Sequence, residues 1–101
     1  MDQIIEKYPK IIREKLKAHI KKIILFGSRA RGDFDHQSDY DFALIVDERS
    51  HAIKDMIMEI NGAMLDEYDL PIGSLIWDEA DWEFHKRFPI GINIIKDGIE
   101  L

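Results

Sequence analysis

Apolar residues recur along this chain with two periods, and the switches between them mark its elements. Ile4, Ile5, Tyr8, Ile11, Ile12 and Leu16 stand three or four apart, which predicts an amphipathic helix over residues 2–19. Pro9 lies inside it without an N–H to give, so the helix is expected to kink or restart there. Lys22-Ile23-Ile24-Leu25-Phe26 is a β-branched run that predicts a buried strand, ended by Gly27. Ser28 to Ser38 is polar, contains Gly32, and reads as a loop in which Ser28 can open a short helix. Residues 39–46 form the clearest strand. Ser50 then caps a helix whose stripe is Ile53, Met56, Ile57, Ile60 and Met64, a core face rather than a ligand site.

Residues 69–77 read as a third strand, with Pro71 and Gly73 favouring an edge position or a bulge. Asp78 is placed to cap a short helix that ends before Pro89. Pro89 opens a last helix with Gly98 as its C′ residue, unless Asp97-Gly98 instead turns a hairpin. Helix, strand, strand, helix, strand, helix, helix is the order of an α/β (α+β) fold. It predicts a small mixed sheet of about three to four strands backed by helices. At 101 residues the chain is expected to form a single domain, 1–101, with little surface to spare for a deep cleft.

Composition narrows the chemistry. There are no cysteines, so disulfides, thiolate zinc sites and cysteine nucleophiles are excluded. No apolar run approaches the length of a membrane span and the N-terminus lacks an apolar signal region, so a cytoplasmic protein without membrane contact is expected. Net charge is −6, unevenly spread: residues 1–31 sum to +6 and the remainder to −12. The basic stretch is a solvated helix face or a flank that attracts a polyphosphate or an acidic partner. An acidic chain makes a poor non-specific nucleic-acid binder, because counterion release needs many phosphate contacts.

The stretch that carries chemistry is Gly27-Ser28-Arg29-Ala30-Arg31-Gly32-Asp33, followed by Ser38-Asp39-Tyr40-Asp41. Asp39 and Asp41 are two apart on a strand, so they share a face, continued by Ala43 and Ile45. Tyr40, Phe42, Leu44 and Val46 line the other face. Two carboxylates side by side repel each other, and a hard divalent cation with oxygen ligands relieves that repulsion. The bland alternative is a solvated strand end. Gly27 lets backbone approach a ligand closely, and Ser28 offers a hydroxyl and unpaired N–H groups to a phosphate. Arg29 and Arg31 can meet phosphate oxygens or stay in solvent. Gly32 serves the turn. Asp33 stands where a Walker loop requires lysine, so this is not one.

Taken together, Leu25-Phe26-Gly27-Ser28-Arg29-Ala30-Arg31-Gly32 and Ser38-Asp39-Tyr40-Asp41 resemble the signature of the DNA polymerase β-like nucleotidyltransferase superfamily, in its minimal nucleotidyltransferase (MNT) branch. The resemblance implies that Gly27 and Ser28 hold triphosphate oxygens and that Asp39 and Asp41 bind Mg²⁺, in all two ions. It implies transfer of a nucleoside monophosphate, AMP from ATP being the expected case, to an acceptor hydroxyl. It also implies a small helical HEPN-type partner, some relatives being antitoxins that attach AMP to a tyrosine of that partner. The family adds a third carboxylate from a later strand. Asp69 is the best candidate, although a family-like register places that slot near Gly73, where no acid exists.

The alternatives follow from that slot. If it is empty, a nucleotidyltransferase-fold module that neutralises a helical partner by binding becomes the rival reading. A small-molecule transferase needs an acceptor pocket that no motif supplies. Lacking a second lobe, the chain is expected to borrow its other wall from the acceptor or a companion subunit, and a homo-oligomer is compatible. Trp77, Trp82, Phe84 and Phe88 are core residues or a docking patch. His19, His36, His51 and His85 have no metal-ligand spacing.

Overall fold

A computed structural model describes residues 2–101. Helix α1, Gln3–Leu16, starts where the Asp2 carboxylate accepts from the N–H groups of Ile4 (2.8 Å) and Ile5 (3.4 Å). It runs through Pro9 unbroken, ending in a 3₁₀ turn, Lys17–His19. Strand β1, Ile20–Phe26, begins two residues earlier than its apolar run and carries an irregularity between Ile20 and Lys22. A one-turn helix α2, Ser28–Arg31, follows, then β2, Tyr40–Val46. The long helix α3, His51–Tyr68, starts at the Ser50 cap, whose hydroxyl accepts from the Ile53 N–H at 3.2 Å.

Strand β3, Ile72–Asp78, corrects the expected 69–77. Helix α3 continues to Tyr68 and Asp69 closes it in the left-handed conformation, φ 56°, so strand geometry starts three residues later. Asp78 then caps helix α4, Glu79–His85, in a reciprocal box with Asp81. Helix α5, Pro89–Asp97, starts on its proline, and a two-residue strand β4, Ile99–Glu100, follows it. Gly98 ends α5 in an extended conformation, its N–H donating to the Ile94 carbonyl at 2.8 Å. A Cβ there would strike the Ile94 carbonyl and the Ile24 side chain.

The sheet order is β3-β2-β1-β4. Strand β1 lies between antiparallel partners β2 and β4, while β2 and β3 are parallel, joined by α3 as crossover. Alternation along β2 sends Tyr40, Phe42, Leu44 and Val46 to a core beneath α1 and α3, with Tyr8, Ile12, Ile57 and Met64. Ala43 and Ile45 go to the opposite core, with Ile24, Trp77, Trp82 and Ile94 beneath α4 and α5. Full burial of each large apolar side chain contributes roughly 1.5–3 kcal/mol, so both faces of the sheet are held against helices. Trp77 and Trp82 are thus core, whereas Phe84 and Phe88 remain exposed beside Ile90, Ile92 and Ile95. Among the described residues no helix is long and apolar enough to cross a membrane.

Candidate active site

Three strand ends meet at one edge of the sheet: the C-terminus of β1 and the N-termini of β2 and β3. Asp41 is the second residue of β2, and its Cα partners are Phe26 on β1 and Gly73 on β3. Gly27 turns the chain out of β1 with φ 75° and ψ −159°, a conformation open essentially to glycine alone. A Cβ built on Gly27 would lie 2.5 Å from Asp41 Oδ2, and one on Gly73 would lie 3.1 Å from Oδ1. The Asp41 carboxylate therefore fits between two stretches of bare backbone. Burial, and next the charge of Asp39, push its carboxyl above the usual range, while Arg31 opposes them. Asp39 is exposed, one residue before β2.

The turn beside them is closed by backbone bonds. The N–H groups of Ala30 and Arg31 both donate to the Gly27 carbonyl at 3.1 Å. Gly32, at φ 90°, caps α2 by donating to the Ser28 carbonyl at 2.9 Å. Ser28 is half-buried, and among the described residues its hydroxyl has no hydrogen-bond partner. Arg31 is exposed, its Nε 3.2 Å from Asp33 Oδ2.

Arg29 departs from the expected role. It is only 8% exposed, and its Nε and Nη2 donate to the Ser38 carbonyl at 3.2 and 2.9 Å. Its guanidinium lies between the rings of Phe34 (4.5 Å) and Tyr40 (4.2 Å) and 3.9 Å from Asp2 Oδ2, to which the Tyr40 hydroxyl also donates. Arg29 thus fixes the loop immediately before Asp39 and is closed to a phosphate. Asp69 is also elsewhere, at the end of α3. Among the described residues no group of three or more His, Cys, Asp or Glu side chains gathers at one point, so Asp69 does not join Asp39 and Asp41.

A model of the family described as polymerase beta, nucleotidyltransferase, matches residues 6–99. The chain belongs to the polymerase β nucleotidyltransferase family. Among relatives of this nucleotidyltransferase, "Putative protein adenylyltransferase MJ0604" of Methanocaldococcus jannaschii is 28% identical over 103 residues, covering 96% of this chain and 93% of the relative. "Putative protein adenylyltransferase MJ0141" of the same organism is 37% identical over 79 residues, covering 77% and 80%. Among solved structures, the toxin-antitoxin with AMP-PNP superimposes at a TM-score of 0.61 and 16% identity, over 94% of this chain and 70% of that one, a likeness of fold.

The nucleotidyltransferase thus has Gly27, Ser28, Arg31, Asp39 and Asp41 at one sheet edge. Arg29 stands behind them as a support and Asp69 apart. The slot expected near Gly73 holds no acid, and the residue after it serves the opposite face of the sheet. Gly73 is the neighbour of Asp41 on β3. Ser74, next to it, joins a half-buried ring with Tyr8 and Asn61: Tyr8 Oη lies 2.6 Å from Asn61 Oδ1 and 3.0 Å from Ser74 Oγ, and Asn61 Nδ2 donates to Ser74 Oγ at 2.9 Å. Burial pushes the Tyr8 hydroxyl up to about 12, so it stays a neutral donor that ties β3 to α1 and α3. A polar side chain on an otherwise apolar helix stripe, as at Tyr8, is the signal that points to such a partner.

Proposed function

We propose that this nucleotidyltransferase moves AMP from ATP to a hydroxyl on a small helical protein of the HEPN type, as the antitoxin of a toxin–antitoxin pair in the cytoplasm. The observation that carries the reading is the Asp39–Asp41 pair, which makes no salt bridge among the described residues and abuts the Gly27 turn. Two hard carboxylates with an open approach suit Mg²⁺, which also takes phosphate oxygens as ligands. Held by Asp39 and Asp41, Mg²⁺ would supply neutralisation of phosphate charge and a lower pKa for the acceptor hydroxyl. The backbone and hydroxyl at Gly27 and Ser28 bind the triphosphate, and Arg31 steers it toward the acids. The acceptor oxygen forms a bond to the α-phosphorus, the bond from that phosphorus to the bridging oxygen breaks, pyrophosphate leaves, and the hydroxyl proton passes to solvent.

The adenylyltransferase names of the relatives support the nucleotide, and the toxin-antitoxin with AMP-PNP, similar in fold, supports a toxin–antitoxin setting. Exposed Phe84 on α4, Phe88 just before α5, and Ile92 and Ile95 on α5 give a partner apolar surface to cover. The test incubates the chain with α-labelled ATP, Mg²⁺ and its genomic neighbour. Label is expected on the neighbour and lost with Asp39→Ala/Asp41→Ala; label that persists in that variant ends the mechanism. Gly73 beside Asp41 favours one second reading, a weakly active module that neutralises its partner by binding. That reading predicts a tight complex whose neutralising effect survives Asp39→Ala/Asp41→Ala.

A further inference from the structure

Helices α1 and α3 cover the face of the sheet opposite to Asp41, which alternates with Ala43 and Ile45 on the other. Lys7 meets Glu67 at 2.7 Å, and the two helices run antiparallel from there. Between them lies an open groove of about 280 Å³, with Ile11, Met56, Ile60, Ala63 and Met64 along it. The groove continues in both directions. It shares Ile11 and Glu67 with a depression that reaches Gln3, and Lys15 and Met56 with one that reaches Ser50. One trough, apolar at its centre, therefore runs the length of both helices. Met58 and Leu65, 65% and 42% exposed, add to the apolar surface of α3.

The two banks of this trough carry opposite charge. On α1, Lys7, Lys10, Arg13 and Lys15 outnumber Glu6 and Glu14; on α3, Asp55, Glu59, Asp66 and Glu67 outnumber Lys54. Among the described residues only Lys7 and Glu67 pair across the trough, and Lys10, Lys15, Asp55, Glu59 and Asp66 make no salt bridge. A foreign helix laid there would need one acidic and one basic side in the right order. A second copy supplies that order by symmetry. A two-fold axis along the trough sets the α1 of each copy over the α3 of the other, so basic bank meets acidic bank twice and the apolar floors face each other. Such an axis keeps heights along the helices unchanged. Lys10 and Asp66 both stand within one turn of the Lys7–Glu67 level, so Lys10 of one copy comes to Asp66 of the other.

We infer that the α1–α3 face is a self-association surface, occupied by a second copy of this chain. The proposal does not rest on the nucleotide-transfer reading, and it leaves the Gly27 turn and the α4–α5 surface free, since both lie across the sheet. Size sets its strength. Helices of 14 and 18 residues, roughly 20–27 Å long, give a joint face of order 500 Å² per copy, about 1,000 Å² in all, the lower limit for a specific interface. A weak, reversible dimer is the consequence.

Sedimentation equilibrium of the full chain over a concentration series tests this. A monomer–dimer equilibrium with a Kd below about 1 mM is expected, weakened by added salt as the banks are screened. Lys10→Glu and Asp66→Lys, both at exposed positions, are each expected to raise the Kd roughly 10-fold, because each turns two attractions in the dimer into two repulsions. The double variant is expected to recover most of the lost affinity. Ala63→Gln, which fills the trough without adding charge, is expected to raise the Kd as well. Helix content, and Tm at dilutions where the chain is monomeric, are expected to be unchanged in every variant. A chain that stays monomeric at about 1 mM overturns the proposal, as does a dimer that neither reversal weakens or that the double variant fails to recover. If the trough instead takes the genomic neighbour, the chain alone stays monomeric while the variants weaken that complex, and the second-copy assignment falls.

Discussion

The two ends of strand β2 each carry acid, and the two are handled in opposite ways. At the far end Asp47 lies 2.9 Å from the His19 ring, and that hydrogen bond holds its carboxyl below the usual range. At the near end Asp41 has Asp39 beside it and two glycines around it, and its carboxyl is pushed up instead. One acid has its partner within the chain. The other is kept short of one, and that shortfall is what a cation or a substrate can relieve. The contrast locates function where the fold leaves electrostatics unfinished.

Asp41→Asn against Asp47→Asn is the sharpest way to break the comparison. The first is expected to lower nucleotide transfer on the order of 10³-fold, the scale of losing a charge-stabilising group, with Tm unchanged or raised as repulsion is relieved. The second leaves transfer unchanged. Melting in chelator across pH separates them again. A raised folded value means that Asp41's contribution to stability is complete below its unfolded 3.8 and lost as pH rises through the folded value. Asp47's contribution is present above 3.8 and lost as pH falls through its lowered folded value. Parallel pH profiles for the two variants would erase the distinction.

A second pair compares glycines. Gly27→Ala is strained in its backbone and strikes Asp41, so it should cost about 1–3 kcal/mol and reduce transfer roughly 10²-fold through misplacement. Gly62, within α3, has nothing near its missing Cβ, so Gly62→Ala should instead stabilise by about 0.5–1 kcal/mol. Urea denaturation with a transfer assay reads both.

The two arginines of the turn give the smallest contrast. Arg29→Ala removes buried bonds to the Ser38 carbonyl and should cost about 1.5–3 kcal/mol, with a partial loss of transfer as the loop before Asp39 loosens. Arg31→Ala, at an exposed position, should change stability by less than about 0.5 kcal/mol and raise the KM for nucleotide. If the stability effects are reversed, the assignment of support to one and contact to the other is wrong.

These residues also show what the sequence could and could not reveal. Strand β2 and helix α3 with its Ser50 cap were legible because alternation and capping are local, although the strand starts at Tyr40 and leaves Asp39, expected as its first residue, just outside it. The start of β3 was not. No glycine or proline stops α3 before Asp69, and Asp69 takes a left-handed cap that propensity does not announce. The burial of Arg29 depends on Asp2, Phe34 and Tyr40, which converge only after folding. Gly73 was named as a slot without an acid, and the parallel register puts it beside Asp41. Strand β4 is two residues long, below what any periodicity can register.

That short strand has a further consequence, for the order of assembly. Strands β1 and β2 are close in sequence and enclose a small loop, whereas β4 must return across most of the chain to pair Ile99 with Leu25. The Leu101 N–H then donates to the Ile23 carbonyl, and Arg13 donates to the Leu101 carbonyl. Contacts of such long range form late in folding. A refolding chain is therefore expected to pair β1 with β2 before it adds β4 at the other side of β1.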